Sequence, residues 1–230
     1  MNELRTKYST FKPDRLMYLE VQLASTLHRP INVSDDQLEL MVQKVASGSG
    51  GLQDFAMSML IAGKLQRADV LRALSAAALR RVETANDVHL VIRGLADGLA
   101  DLREDNVARR EALELYRRMF EHSDWFPAHS LAEAKHNYAT LLYSNDYDDE
   151  AGRIWYQAYQ EGRDDAINRA YAVYLGRADR ADLARKVIAG EPITEMVLQQ
   201  PDRPLPEQFA TAPFIDDLFS VAVRLAAPSS

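Results

Sequence analysis

The chain has 230 residues, 47% of them hydrophobic and 27% charged, with a net charge of −7 and a pI near 5.3. Those proportions describe a globular chain long enough for one extended domain or two small ones. The acidic balance argues against a mainly electrostatic grip on nucleic acid, which needs many Lys and Arg side chains against phosphates. The lack of cysteine excludes a disulfide framework, a thiolate zinc site, an iron–sulfur cluster and a cysteine nucleophile.

In chain order, the opening "MNELRTKYSTFKPDRLMYLE" carries charge every few residues and has no apolar run of signal-peptide length. The most apolar stretch, Phe55 to Gly63, is about half of the ~20 residues a membrane span needs, so a cytoplasmic, non-membrane chain is expected. Pro13 and Asp14 suit a first helical turn, and Leu16, Leu23 and Leu27 keep one helical face until Pro30 stops it. Ser34 can cap the next helix with Gln37 reaching back, and Leu38, Met41, Val42 and Val45 form its buried stripe. "SGSGG" then reads as an inter-helix turn: no Lys-Ser/Thr follows it, and Gln53 stands where a dinucleotide fingerprint needs its third glycine.

A recurring triplet organises the rest. A large residue, an alanine and a large apolar residue three further on appear as Leu23/Ala24/Leu27, Phe55/Ala56/Met59, Leu95/Ala96/Leu99, Tyr138/Ala139/Leu142 and Tyr171/Ala172/Leu175, at intervals of 32, 40, 43 and 33 residues. Ala112 with Tyr116, Ala151 with Trp155, and Ala184 with Ile188 likewise place a small residue one turn before a bulky one. An alanine lets two helix backbones approach and the bulky residue fills the space between neighbouring hairpins, so one pair cannot bury its own faces. The pattern predicts an all-α array of about five antiparallel helix hairpins, with "SNDYDD" a turn whose acids begin the following helix.

The block "YATLLYSNDYDDEAGRIWYQAYQEG" resembles a tetratricopeptide repeat, with Tyr138, Ala139, Leu142, Ala151, Trp155 and Ala158 at that family's characteristic places. The run "AGRIWYQAYQEGRDDAINRAYAVYL" is also similar to the related Sel-like repeat. The likeness covers residues 131 to 190 well and 88 to 122 more weakly; the family's usual glycine beside the first large residue is alanine here, and its frequent terminal proline is missing. What the resemblance implies is a right-handed solenoid over residues 1–190 that works as a non-enzymatic scaffold or adaptor. It would bind a peptide or partner domain in the concave groove lined by each hairpin's first helix.

Helical phase assigns to that groove Arg93 and Asp97, then Glu133, His136, Thr140 and Tyr143, then Arg169, Val173 and Arg177. Arg and Tyr commonly anchor interfaces and Arg holds carboxylates bidentately, so Arg169, Arg177 and Tyr143 are expected to receive an acidic or C-terminal peptide segment. His129, Glu133 and His136 would share a helix face, and Glu133/His136 matches the Glu-x-x-His pair of di-iron bundles, but no second pair occurs. "DYDDEA" lacks the glycine and closing glutamate of a calcium loop. No cofactor or metal is therefore expected. A metal-dependent helical enzyme on the His129/Glu133/His136 face and an RNA-binding helical repeat are the competing readings. The doublets Arg80-Arg81, Arg109-Arg110 and Arg117-Arg118 read as solvated helix faces.

Residues 191–230 differ in composition. Pro192, Pro201, Pro204, Pro206 and Pro213 favour an extended strap. After it, Phe214, Leu218, Val221, Ala222 and Leu225 at helical spacing predict a helix that caps the last hairpin. Alternatively that helix detaches to occupy a partner's groove, or mediates self-association.

Overall fold

The structure, a computed structural model, describes residues 21, 23–24, 27, 33–47, 52–126, 128–162, 165–198 and 204–226, with the side chains of 52–54, 57, 85–86, 128–130, 133 and 226 outside that description. Among the described residues there are ten α-helices and no strand: α1 (Asp35–Ser47), α2 (Leu52–Lys64), α3 (Ala68–Leu79), α4 (Ala85–Ala100), α5 (Asn106–Glu121), α6 (Ala128–Tyr143), α7 (Asp148–Glu161), α8 (Asp165–Arg177), α9 (Ala181–Ala189) and α10 (Pro213–Ala226). The expected helix after Pro13 and the "SGSGG" turn lie largely or wholly outside the described residues. The reciprocal cap is present at α1, where Ser34 N–H donates to Gln37 Oε1 at 2.8 Å and Gln37 N–H to Ser34 Oγ at 3.3 Å. Thr84 and Asp87 build the same box at α4.

Three hairpins turn in the same way. Gln66, Asp146 and Asp179 adopt φ values of 59°, 63° and 57°. After them the N–H groups of Arg67, Tyr147 and Arg180 donate to the carbonyls of Ala62, Leu142 and Leu175 at 2.9, 3.1 and 2.9 Å. This is the Schellman closure of a helix C-terminus, made with Gln or Asp in the left-handed position that glycine usually takes. Asp146 and Asp179 stand 33 positions apart, as do Tyr138 and Tyr171, so α6–α7 and α8–α9 repeat in sequence and in turn geometry together. The α2–α3 hairpin shares the turn in a different register. There the residue equivalent to Leu142 and Leu175 is Ala62, not Met59.

Packing divides the chain into two compact units, residues 1–112 with 212–230, and residues 113–211. In the first, α4 lies against α2 and α3, and glycine makes the approach close. A Cβ on Gly63 would meet the Gly98 carbonyl oxygen at 2.6 Å, and one on Gly98 would meet Leu71 Cδ2 at 2.6 Å. Phe55, Met59, Leu71, Leu74, Ile92, Leu95 and Leu99 fill the space between these helices, all fully buried. Helix α10 packs on α4, burying Ile215, Leu218, Phe219 and Ala222. The expectation that this helix caps the last hairpin is thus corrected: its stripe is centred on Ile215 and Phe219, and the face it covers belongs to the first unit.

The second unit joins the end of α5 to α6, α7, α8 and α9. Here Tyr138 packs beside Tyr116 and Phe120, with ring centroids 5.7 and 5.5 Å away. Farther on, Trp155, Tyr171 and Tyr174 form one aromatic block between α7 and α8.

Four of the five triplets sit in cores, with their large residues at 4% exposure or less. The fifth does not: Leu23 and Leu27 are 60% and 48% exposed. Of the small-then-bulky pairs, Ala112/Tyr116 and Ala151/Trp155 are buried, whereas Ile188 is 59% exposed and Val187 takes the buried place on α9. A helix as short as α9 buries one narrow stripe, and Leu183 with Val187 already fills it.

Candidate functional site

The expected groove residues separate into two groups. Arg93 and Asp97 lie on α4 in the first unit and pair with each other at 3.3 Å, with side chains only 19% and 13% exposed. The others lie on α6 and α8 in the second unit. The side chain of Glu133 is outside the described residues, as is that of His129, so the His129/Glu133/His136 face is too. His136 is half-buried, and its backbone carbonyl accepts from the Thr140 hydroxyl at 2.9 Å. Among the described residues no group of three or more His, Asp or Glu side chains is gathered as for a metal ion.

On α8, Arg169, Val173 and Arg177 follow one another at four-residue intervals and all are exposed, Val173 by 55%. Arg177 meets α6: its Nη1 donates to the Tyr143 hydroxyl at 2.8 Å and its guanidinium carbon stands 5.3 Å from that ring's centroid. Tyr143 in turn packs against Trp155 and Tyr174, at 5.7 and 6.1 Å. The cation therefore rests on an aromatic support anchored in the core, which restricts the guanidinium. Asp148, at the start of α7, has its carboxyl raised above the ordinary value by burial and by the neighbouring Asp146 and Asp149, with Arg177 opposing.

A second constellation went unread in the sequence. The strap after Gly190 lies across α7 and α8, and the hydrogen bonds that hold it run into its carbonyl oxygens. Tyr159 Oη donates to the Glu191 carbonyl at 2.5 Å, Gln160 Nε2 to Ile193 at 2.7 Å and Tyr174 Oη to Val197 at 3.0 Å. Ile193 and Val197 are buried, Thr194, Met196 and Leu198 are exposed, and the Glu195 carboxylate is held by both terminal nitrogens of Arg180. Tyr174 reaches its carbonyl across Gly152, where a Cβ would come within 2.4 Å of the hydroxyl. The available signal was a glycine inside an otherwise regular helix, one residue after the predicted Ala151 contact.

Farther along, the tail is fastened to α5. Glu114 is fully buried, accepts from Arg117 and Arg118, and also takes the Phe209 backbone N–H at 3.0 Å. Burial would raise this carboxyl, but the hydrogen bonds from Arg117, Phe209 and Arg118 outweigh it and hold the group below its ordinary value. The Arg117-Arg118 doublet is consequently no solvated face. Both side chains are only 20% exposed, directed onto a carboxylate inside the apolar stripe of α5. Three further polar atoms of the aromatic region, Trp155 Nε1, Asn168 Oδ1 and the Tyr171 hydroxyl, are buried without a hydrogen-bond partner among the described residues.

No family model, no curated protein and no solved structure matches the chain. The likeness to tetratricopeptide repeats thus rests on the residues alone. No helix among the described residues is long and apolar enough to cross a membrane.

Proposed function

We propose that this chain is a non-enzymatic interaction scaffold, a tetratricopeptide-like array of helical hairpins that binds an acidic segment of another protein. The observation that carries the reading is the exposed α8 row Arg169/Val173/Arg177 with Arg177 seated on Tyr143. Eight residues of helix separate the two arginines by about 12 Å. That is the span of three to four residues of extended chain. A segment with two carboxylates that far apart and an apolar residue between them matches the row: each carboxylate meets a guanidinium, and the apolar side chain covers Val173. A free C-terminal carboxylate supplies the same chemistry at one end. The recurrence of one turn geometry in three hairpins supports the array, since a repeated hairpin is the unit from which such surfaces are assembled.

The test is a display library of peptides carrying acid–apolar–acid patterns at varied spacing, screened against the full chain. Binders are expected to cluster at separations of three to four residues. They should lose affinity for Arg169→Ala/Arg177→Ala while the helical CD signal and melting temperature stay put. Peptides that bind the double variant as tightly as the parent would end the proposal.

A further inference from the structure

The hairpins α6–α7 and α8–α9 repeat at 33 positions, so residues of the second have counterparts in the first. The first hairpin is covered on one side by α8. Tyr174 of α8 sits against Tyr143 and Trp155, with ring centroids 6.1 and 5.9 Å away, and over Gly152, where a Cβ would meet it at 2.4 Å. Ala139 and Ala151, on the same two helices, are fully buried. The counterparts in α8–α9 are Gly176, Ile188, Arg185, Ala172 and Ala184, and none of them is buried. Ile188 is 59% exposed, and nothing lies within 4 Å of a Cβ built on Gly176. The chain leaves α9 as the strap over α7 and α8, and its next helix, α10, packs on α4. The far side of α8–α9 thus repeats the positions that α8 covers on α6–α7, without a helix over them among the described residues.

The differences between the two hairpins state what fits there. Gly176 and Ile188 replace Tyr143 and Trp155, so the bulk that α6 and α7 bring to their contact must come from the occupant. Arg185 replaces Gly152, which excludes a ring seated as Tyr174 is and favours a carboxylate in its place. Arg169, one turn before Ala172, adds a second guanidinium. Both arginines are exposed, and neither is ion-paired among the described residues. The acids of the two helices are Asp165, at the start of α8, and Asp182, which is paired with Arg180. We infer that the far side of α8–α9 is a docking surface for an amphipathic helix of a partner protein, lying on it as α8 lies on α6–α7. Large apolar side chains of that helix cover Gly176 and Ile188, and acidic residues on its flanks meet Arg169 and Arg185. A second copy of the chain is the poorer occupant, since a two-fold contact of this side with itself sets like charges against each other. The surface is distinct from the Arg169/Val173/Arg177 row. Val173 and Arg177 correspond to Thr140 and Ser144, which stay exposed on α6, so only Arg169 borders both, and the inference does not rest on the function proposed for that row.

The probe is a labelled helical peptide of about eighteen residues, five turns, with Leu and Trp on one stripe and Glu along both flanks; its control carries Lys in place of every Glu. Fluorescence anisotropy with the full chain should show the Glu peptide binding and the Lys control not. Ile188 and Arg185 are exposed, so substituting them is expected to leave the fold intact. Ile188→Asp should weaken the Glu peptide at least about tenfold. Arg169→Glu/Arg185→Glu should exchange the preference, so that the Lys peptide binds and the Glu peptide does not. Amide shifts in the parent on adding the Glu peptide should concentrate at residues 169–188. Arg177→Ala should change none of this while impairing the extended acidic segment proposed for the row, so the two readings fail separately. A Glu peptide that binds no better than its Lys control overturns the inference, as does binding indifferent to Ile188→Asp or to the charge reversal. A parent chain that dimerises and becomes monomeric with Ile188→Asp would assign the surface to a second copy and also overturn it.

Discussion

Gly152 and Tyr174 meet across α7 and α8 so closely that a methyl group on the glycine would lie 2.4 Å from both Cζ and the hydroxyl oxygen of the tyrosine. The glycine gives that ring its path to the Val197 carbonyl. Gly152→Ala forces the flexible end of Tyr174 aside, so faster hydrogen exchange and earlier proteolysis in residues 191–198 are expected, with α1 to α4 unaffected. Tyr174→Phe removes only the hydroxyl and should cost about 1 kcal/mol by denaturant melts, the usual net value of one hydrogen bond. An alanine variant whose strap exchanges at the parental rate would show that the ring has another route.

Two other glycines should respond in opposite directions. Replacing a glycine in a helix interior by alanine gains about 1 kcal/mol of helix propensity where space allows, and less in the last turn, where both of these glycines sit. Gly176 has nothing within 4 Å of its would-be Cβ, so Gly176→Ala should stabilise by a fraction of that amount. Gly63 faces the Gly98 carbonyl, a backbone atom that cannot swing away, and overpacking costs about 1–3 kcal/mol. Gly63→Ala should therefore lower the melting temperature despite its better propensity. Equal shifts in the two variants would contradict the close α2–α4 approach.

Glu114 is the tail's anchor, and removing it takes one acceptor from Arg117 and Arg118 and the acceptor of the Phe209 N–H, while Arg117 keeps its pair with Glu121. Breaking a buried pair from one side costs about 3–5 kcal/mol. The lower end is expected for Glu114→Ala because Arg117 and Arg118 each retain some contact with water. The same group links stability to pH. Its folded value is below the ordinary 4.5, so its contribution is fully present above 4.5 and is lost as pH falls through the lowered folded value. Glu114→Gln should flatten that acid limb in a series of melts; an unchanged limb would place the acid sensitivity elsewhere.

His89 should act earlier in the same titration. Burial on α4 disfavours its imidazolium and holds its value below the ordinary 6.5. Its contribution is present above 6.5 and disappears as pH falls through the depressed folded value, because the unfolded chain takes up the proton first. Melting temperatures between pH 7 and 5 should decline less in His89→Gln than in the parent. Parallel declines would count against the linkage.

Helix α10 offers a packing test in the first unit. Leu218 is fully buried where α10 meets α4. Leu218→Ala should cost about 2–5 kcal/mol, whereas Val223→Ala, at a site 52% exposed, should stay within about 0.5 kcal/mol. Similar small losses at both would indicate a detachable helix.

What the amino-acid sequence determined by itself is whatever neighbouring residues settle among themselves. The all-helical class, the Ser34/Gln37 cap, the turn at Asp146 and the matched spacing of Tyr138 with Tyr171 are of this kind, since cap, turn and helical period each involve residues within a few positions. The phase of a single helix was legible too, as the Arg169/Val173/Arg177 row demonstrates. Periodicity states that a face is covered without stating by what. Tertiary structure alone decided that Leu23 and Leu27 face water, that the α2 turn sets a register three residues away from the Met59 triplet, and that α10 covers α4. It also decided that Arg117 and Arg118 turn inward, because their carboxylate anchors a residue 95 positions later in the chain. The strap is the clearest instance: Tyr156, Tyr159, Gln160, Tyr174 and Arg180 carry no local signature of a shared role, and they hold one segment only when the fold returns residues 191–197 across α7 and α8.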